Sequence, residues 1–294
     1  MSVRSWSERA IGVVILALLL GHNDPPSCRA QGKPTLDLDV VYGKAGDREL
    51  KLDLARPAGK GPFPTVVCIH GGGWRMGNKR DLRGWIELLA QQGYVAASVG
   101  YRLAPDSTFP SQIEDCKTAV RFLRANADKF GIDKDRFAAL GHSAGGHLVC
   151  LLGLTDEKAG LEGKLYPHES SRVQAVVDYF GPTDLAAFGK DDSAQRSMLA
   201  PLIGKKYADD PTAHEKASPL RYVTKDAPPF LIFHGTKDWV VPIEQSRLLA
   251  NRLKDVGVPV KFVEVPQEGH GWNGPVVNRT TDETLKFLAE RLKK

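Results

Sequence analysis

Phe137-Ala138-Ala139-Leu140-Gly141-His142-Ser143-Ala144-Gly145-Gly146-His147-Leu148-Val149-Cys150 is the stretch that decides the fold of this 294-residue chain. Its first four residues form a short apolar run suited to a buried strand. The run after Gly146 has no breaker until Gly153, as a helix would require. Between them stands Gly-x-Ser-x-Gly, where the chain must turn sharply and force its central residue into strained backbone angles. Gly141 and Gly145 remove the Cβ atoms that would clash in such a turn. Ser143 is therefore expected at the edge of a sheet, with the N-terminus of a helix behind it and its unpaired N–H groups available to a developing oxyanion. The bland alternative is a glycine-rich turn holding an ordinary serine, and the choice depends on partners elsewhere in the chain.

Those partners are present. Upstream, Thr65-Val66-Val67-Cys68-Ile69 is a β-branched run suited to a central strand, and it ends at His70-Gly71-Gly72-Gly73-Trp74. Three consecutive glycines cost backbone entropy on folding, so after a buried strand they mark a backbone that must approach something closely. With Gly-x-Ser-x-Gly downstream, this reads as the second half of an oxyanion hole. A serine also needs a base within hydrogen-bond reach, and the base needs a carboxylate to hold its tautomer. His270 follows the last strand in a Gly-flanked loop and is the expected base. Asp238 follows a strand that ends in His234-Gly235 and is the expected acid, with Asp184 as runner-up. The bland role for Asp184 is to cap the segment starting at Leu185. Of the other histidines, His142 should point away from the site, His147 lies on the following helix, and His70 and His234 end strands. His168 and His214 sit in polar segments and are expected to be solvated.

The rest of the chain supplies a frame for these loops. Residues 36–42 and 49–55 alternate apolar and polar positions across a turn and read as an edge hairpin. From Thr65 onward strands and helices alternate: strands at 94–99, 173–179, 229–234 and 260–265, and helices at 81–92, 110–127, 243–256 and 281–292. The implied class is α/β, with a mainly parallel sheet of about eight strands and helices on both faces. Ser143, Asp238 and His270 then all fall beyond the carboxyl ends of strands, where active groups of such sheets lie. Residues 185–227 are long for a connection and are expected to form a small insertion over the site.

The combination of His70-Gly71-Gly72-Gly73-Trp74, Tyr101-Arg102-Leu103-Ala104-Pro105, Phe109-Pro110 with Asp115, Gly141-His142-Ser143-Ala144-Gly145-Gly146, Gly181-Pro182-Thr183-Asp184 and Gly235-Thr236-Lys237-Asp238 resembles the α/β-hydrolase esterases. It looks closest to the bifunctional feruloyl and acetyl-xylan esterase-like (BD-FAE-like) group, with hormone-sensitive-lipase-like carboxylesterases as near relatives. The resemblance implies a serine esterase whose oxyanion donors are the backbone N–H groups of Gly72, Gly73 and Ala144. The chain departs from the lipase-like pattern at its front, where little remains to build an N-terminal cap. An arylformamidase- or peptidase-type hydrolase and a general lipase stay open as alternatives, because the same triad serves amides and other esters. A non-catalytic binder on the same scaffold would not need to keep the triad.

Composition narrows the partners. Lysine and arginine number 40 against 35 acidic residues, a formal charge of +5, and no basic run interleaves with aromatics, so a nucleic-acid partner has no support. The expected partner is a small-molecule or carbohydrate ester, and Trp74, Trp239 and Trp272 are candidate substrate-binding faces. No His-Glu-x-x-His or similar metal motif is present, and no cofactor is expected. Residues 1–30, with Arg4 and Arg9 before an apolar run at 11–20, read as a signal peptide preceding one catalytic domain at 31–294. That run is short for a bilayer, so no stable membrane association is expected and the enzyme should be secreted or periplasmic. Cys68, Cys116 and Cys150 lie inside apolar patterns and are expected to be buried free thiols, a Cys116–Cys150 bridge being the alternative.

Overall fold

A computed structural model describes residues 32–189 and 198–293. The proposed leader, with His22 and Cys28, lies outside the described residues. Strands β1 (Thr35–Ala45) and β2 (Arg48–Arg56) form the expected hairpin, followed by β3 (Phe63–Ile69), a single 3-10 turn (Lys79–Leu82), α1 (Arg83–Gln91) and β4 (Val95–Val99). Next come α2 (Ser111–Ala125), the short α3 (Ala127–Phe130), β5 (Ile132–His142), α4 (Ala144–Leu154) and β6 (Ala175–Tyr179). The insertion contributes α5 (Leu185–Gly189), α6 (Leu199–Ile203), α7 (Pro211–Lys216) and a 3-10 turn (Pro219–Tyr222). The chain ends with β7 (Phe230–Gly235), α8 (Glu244–Asp255), β8 (Val260–Val265) and α9 (Pro275–Leu292).

The sheet has eight strands in the order β1-β2-β4-β3-β5-β6-β7-β8. The β1–β2 and β2–β4 pairs are antiparallel and the rest are parallel. Burial follows from this order. The inner strands β4, β6 and β7 are buried at every residue, whereas the edge strands β1 and β8 are largely exposed or half-buried. Covered on both faces, the inner strands can be continuous apolar runs, which is how 65–69 reads in the sequence.

Side chains of β3 alternate between two cores, as a period of two demands. Val67 and Ile69 face the layer of α2, α4 and α8, where Ile113, Cys116, Val120 and Leu123 form the expected apolar stripe of α2. Val66 and Cys68 face α1 and α9, meeting Ile86, Leu89, Phe287 and Leu288. Cys68, Cys116 and Cys150 are buried free thiols, so the alternative Cys116–Cys150 bridge does not form. Helix α9 begins six residues before the position its amphipathic pattern marks, because Pro275, with φ already fixed near the helical value, starts the first turn after Gly274.

Register sets where the loops emerge. Ile69 pairs with Gly141, His142 with Tyr179, Tyr179 with Phe233, and Gly235 with Val265. The carboxyl ends of β3, β5, β6, β7 and β8 therefore lie side by side. The loops that carry the glycine run, Ser143, Asp238 and His270 all leave from this one edge.

Candidate active site

Ser143 links β5 to α4 with φ 55° and ψ −119°, left-handed angles that a non-glycine residue adopts at a cost of roughly 1–3 kcal/mol. The strain thus sits on the serine. The flanking glycines serve proximity instead: a Cβ on Gly145 would lie 2.7 Å from the carbonyl oxygen of His70 and overlap that of Ile69. Helix α4 can therefore pack directly on the end of β3. The turn is pinned by the Ser143 N–H donating to Tyr179 O at 2.8 Å and by the Ser143 carbonyl accepting from His147 N–H at 3.0 Å, the first rung of α4. Ala144 occupies the first position of that helix, where N–H groups have no intrahelical acceptor.

The structure brings the three expected side chains into one hydrogen-bonded chain. Ser143 Oγ lies 2.8 Å from His270 Nε2, and His270 Nδ1 lies 2.7 Å from Asp238 Oδ2. A carboxylate only accepts, so Nδ1 carries the hydrogen and Nε2 is free to accept from the serine hydroxyl. Asp238 Oδ1 accepts from the N–H groups of Val240 and Val241, each at 2.9 Å. Burial alone would raise the Asp238 carboxyl, but the hydrogen bonds from His234 and His270, with the His270 charge and the Val241 N–H, outweigh it and hold it well below the usual carboxylate range.

The other candidates are engaged elsewhere. Asp184 Oδ1 accepts from Ala187 N–H at 2.9 Å and caps α5. The His142 ring stacks on Tyr179, its centroid 4.5 Å away, and burial together with the nearby His270 charge pushes it down to about 4. His147 is fully buried, accepting from Trp74 Nε1–H at 3.1 Å and donating to Ala217 O at 2.8 Å. Burial lowers it to about 4, so its Nδ1 stays an acceptor at neutral pH. His168 is exposed as expected. His214, expected to be solvated, is instead buried against Tyr207, because α7 turns it inward within the insertion.

The glycine run turns beside this chain. Gly72, Gly73 and Trp74 have φ of 109°, 58° and 58°, and the Gly72 carbonyl accepts from the N–H groups of Arg75 and Met76, both at 3.1 Å. A second loop braces it: Tyr101 Oη donates to His70 O at 3.0 Å, and Ala104 N–H donates to Trp74 O at 2.9 Å. That loop is itself tied down by Arg102, whose Nη2 reaches Asp115 Oδ1 at 2.7 Å and whose backbone N–H reaches Oδ2 at 2.9 Å. The Tyr-Arg-Leu-Ala-Pro motif and the distant Asp115 thus act as a buttress for the glycine loop.

Gly72, Gly73, Ala144, Ser143 and His270 share the lining of one cavity of about 270 Å³. Its far wall is apolar, built from Phe180, Phe188, Met198 and Val241 among others. Phe188 and Met198 come from the insertion, which therefore shapes the cavity as its length suggests. The three tryptophans divide. Trp74 is buried and lines the cavity; Trp239 is 73% exposed and Trp272 is half-buried, and neither lines it. Trp272 instead donates Nε1–H to Thr280 Oγ1 at 3.0 Å and packs edge-on against Phe180. Its part is to hold up the loop that bears His270.

The sheet order, the strained serine on its strand-to-helix turn and the glycine loop facing it define an α/β-hydrolase of the serine-hydrolase type. The chain belongs to the BD-FAE family, whose model matches residues 52–253. Among curated relatives, it is 36% identical over 239 residues to Esterase LipC of Mycobacterium tuberculosis, an alignment covering 80% of this chain and 59% of that one. A probable carboxylic ester hydrolase, LipM, of the same organism is 34% identical, with 86% and 61% covered. The chain thus spans about 60% of the length of these relatives. Among solved structures, a truncated carbohydrate esterase from gut microbiota superposes with a TM-score of 0.80 at 30% identity, covering 92% of this chain and 99% of that one. Esterase 2 of Thermogutta terrifontis superposes with a TM-score of 0.73 at 29% identity, covering 86% and 91%. Among the described residues, no group of three or more His, Cys, Asp or Glu is placed to hold a metal ion, and no helix is long and apolar enough to cross a membrane.

Proposed function

We propose that this protein is a carboxylesterase that hydrolyses short-chain or aromatic acyl esters carried on carbohydrate. Ser143 Oγ attacks the ester carbonyl while His270 Nε2 takes its proton, and the carbonyl oxygen, now an oxyanion, is met by the N–H groups of Gly72, Gly73 and Ala144. His270 then passes the proton to the leaving alcohol, and water clears the acyl-enzyme by the reverse route. Asp238 keeps the imidazole in the tautomer this sequence needs. The observation that carries the reading is the cavity of about 270 Å³ that joins Ser143 to an apolar wall. It offers a small apolar acyl group a place beside the nucleophile and leaves the alcohol on the other side. The likeness to a carbohydrate esterase supports a sugar alcohol.

The test is kcat/KM for esters of increasing acyl length, run beside acetate or ferulate release from xylan fragments. Each buried methylene contributes roughly 0.8 kcal/mol, so rates should climb over the first few carbons and then stop once the cavity is filled. A rise that continues into long chains, with no release from any sugar ester, would mean a lipase. We also propose that residues 1–30 are a leader removed on export, leaving a catalytic domain at 31–294. A mature N-terminus still at Met1 in the purified exported protein would refute this.

A further inference from the structure

His234 is the penultimate residue of β7 and is fully buried, four residues before Asp238, and the proposed chemistry makes no use of it. Its Nε2 lies 2.8 Å from Val241 O and 3.2 Å from Asp238 Oδ2. Both of these atoms are acceptors, so Nε2 carries a hydrogen in every arrangement and shares it between them. Its Nδ1 lies 2.7 Å from Ser246 Oγ on α8, which fixes the ring plane from the opposite side. Charges of Asp178 from β6 and Glu264 from β8 also face the ring.

We infer that His234 is a positioning residue of the relay, a fourth member that acts through Asp238. The inference rests on the proposed roles of Ser143, His270 and Asp238. Asp238 has two oxygens and four donors: Val240 and Val241 N–H on Oδ1, and His270 Nδ1–H and His234 Nε2–H on Oδ2. The backbone pair alone leaves the carboxylate free to swing about its Oδ1 end, and the His234 donor on Oδ2 removes that freedom. The same ring accepts no other task, and it holds the carbonyl of Val241, whose own N–H grips Oδ1. Ring, carboxylate and Val241 form a closed cycle that sets where Oδ2 meets His270.

The experiment compares His234→Phe, His234→Gln and Asp238→Asn, measuring kcat and KM for a soluble acetyl ester and the melting temperature of each protein. Phenylalanine fills the space without a donor, whereas glutamine can place an amide N–H near the Nε2 position. Misplacing a reacting group by about 1 Å costs on the order of 10²-fold in rate, so H234F should lose roughly 10- to 100-fold in kcat with KM little changed. H234Q should recover most of that loss. Full kcat in H234F, or a glutamine variant as impaired as the phenylalanine one, overturns the inference. Should H234F fail to fold, Ser246→Ala is read in its place: it frees the ring without emptying the site, so a lowered kcat at unchanged KM supports the role and an unchanged kcat refutes it. Asp238→Asn separates the two levels. Undiminished activity there refutes the relay itself, whereas its loss beside an intact H234F refutes only the part given to His234.

Discussion

Replacing Asp238 by asparagine should cost about 10⁴ in kcat, and the contacts around the carboxylate say why. Every atom within reach of its two oxygens is a donor: two backbone N–H groups on one side, and His270 Nδ1 and His234 Nε2 on the other. An asparagine keeps one acceptor oxygen and turns the other position into a donor. The backbone N–H groups cannot change, so the amide oxygen must face Val240 and Val241 and the NH₂ must face the histidines. His270 can meet that NH₂ only by giving up its Nδ1 hydrogen, which moves the hydrogen to Nε2. It then presents an N–H to Ser143 where a lone pair is required. A wrong-tautomer base of this kind lowers kcat by roughly 10⁴, or about 5 kcal/mol of barrier. The assay is steady-state hydrolysis of a chromogenic acetyl ester at pH 8, with circular dichroism to check folding. A folded variant retaining more than a tenth of wild-type kcat would refute the reasoning. A larger loss in Asp184→Asn would move the acid to a residue that the structure shows capping α5.

Ser143→Ala should abolish turnover and leave the melting curve nearly unchanged, because alanine inherits the same left-handed φ and no core contact depends on the hydroxyl; residual hydrolysis above a tenth of wild type would sink the assignment. Gly145→Ala should destabilise by about 3 kcal/mol or more in denaturant unfolding, since its Cβ would meet the Ile69 and His70 carbonyls and neither backbone can give way; a soluble variant of wild-type stability would show that the elbow has slack. Two buried carboxyls should respond to pH with opposite signs. Asp238 is held below its unfolded value near 3.9, so its contribution is present above that pH and is lost as pH falls below it; the acid unfolding of Asp238→Asn should therefore be shallower between pH 4 and 2. Asp178 is raised by burial to about 6, against the opposing pull of the Gly181 N–H, 2.9 Å from its Oδ1, the His234 ring and a hydrogen bond with the Cys150 thiol. The unfolded chain loses this proton near 3.9 and the folded one near 6, so the cost to folding grows between those values and is constant above them; Asp178→Asn should stabilise at pH 8 by at most about 2 to 3 kcal/mol and give little gain at pH 4, and an equal gain at both values would count against a buried protonated carboxyl.

The elements that could be read from the chain are those whose physics is local. The strand-to-helix turn at Ser143 is written in an apolar run, a glycine pair and a second apolar run, all within 14 residues of one another, and backbone sterics leave that pattern few other conformations. The inner strands are legible as short, largely apolar runs, Thr65–Ile69 above all, because both of their faces are covered. His214 is not legible for the converse reason: it stands in a polar segment, and only the packing of α7 within the insertion turns it inward. The late start assigned to α9 has a similar cause, since the first turns of that helix, near the site, lack the apolar spacing that marks the remainder.

The α/β class, the order of Ser143, Asp238 and His270 along the chain, and the placing of each at the carboxyl end of a strand are settled by the amino-acid order alone, because these follow from periodicity and turn chemistry over a few residues. That order could not determine distances across the sheet. Ser143 and His270 are 127 residues apart and meet at 2.8 Å only because β5, β6, β7 and β8 stack in register. The apolar wall of Phe180, Phe188, Met198 and Val241 gathers from the β6–β7 and β7–α8 connections, and each of these residues in isolation reads as ordinary core. His234 likewise reads as a strand-end histidine until the loop after β7 curls back and sets Asp238 and Val241 against its ring. Which donors surround a carboxylate and which side chains close a cavity are properties of chain segments brought together by burial of the common core, and no local spacing encodes them.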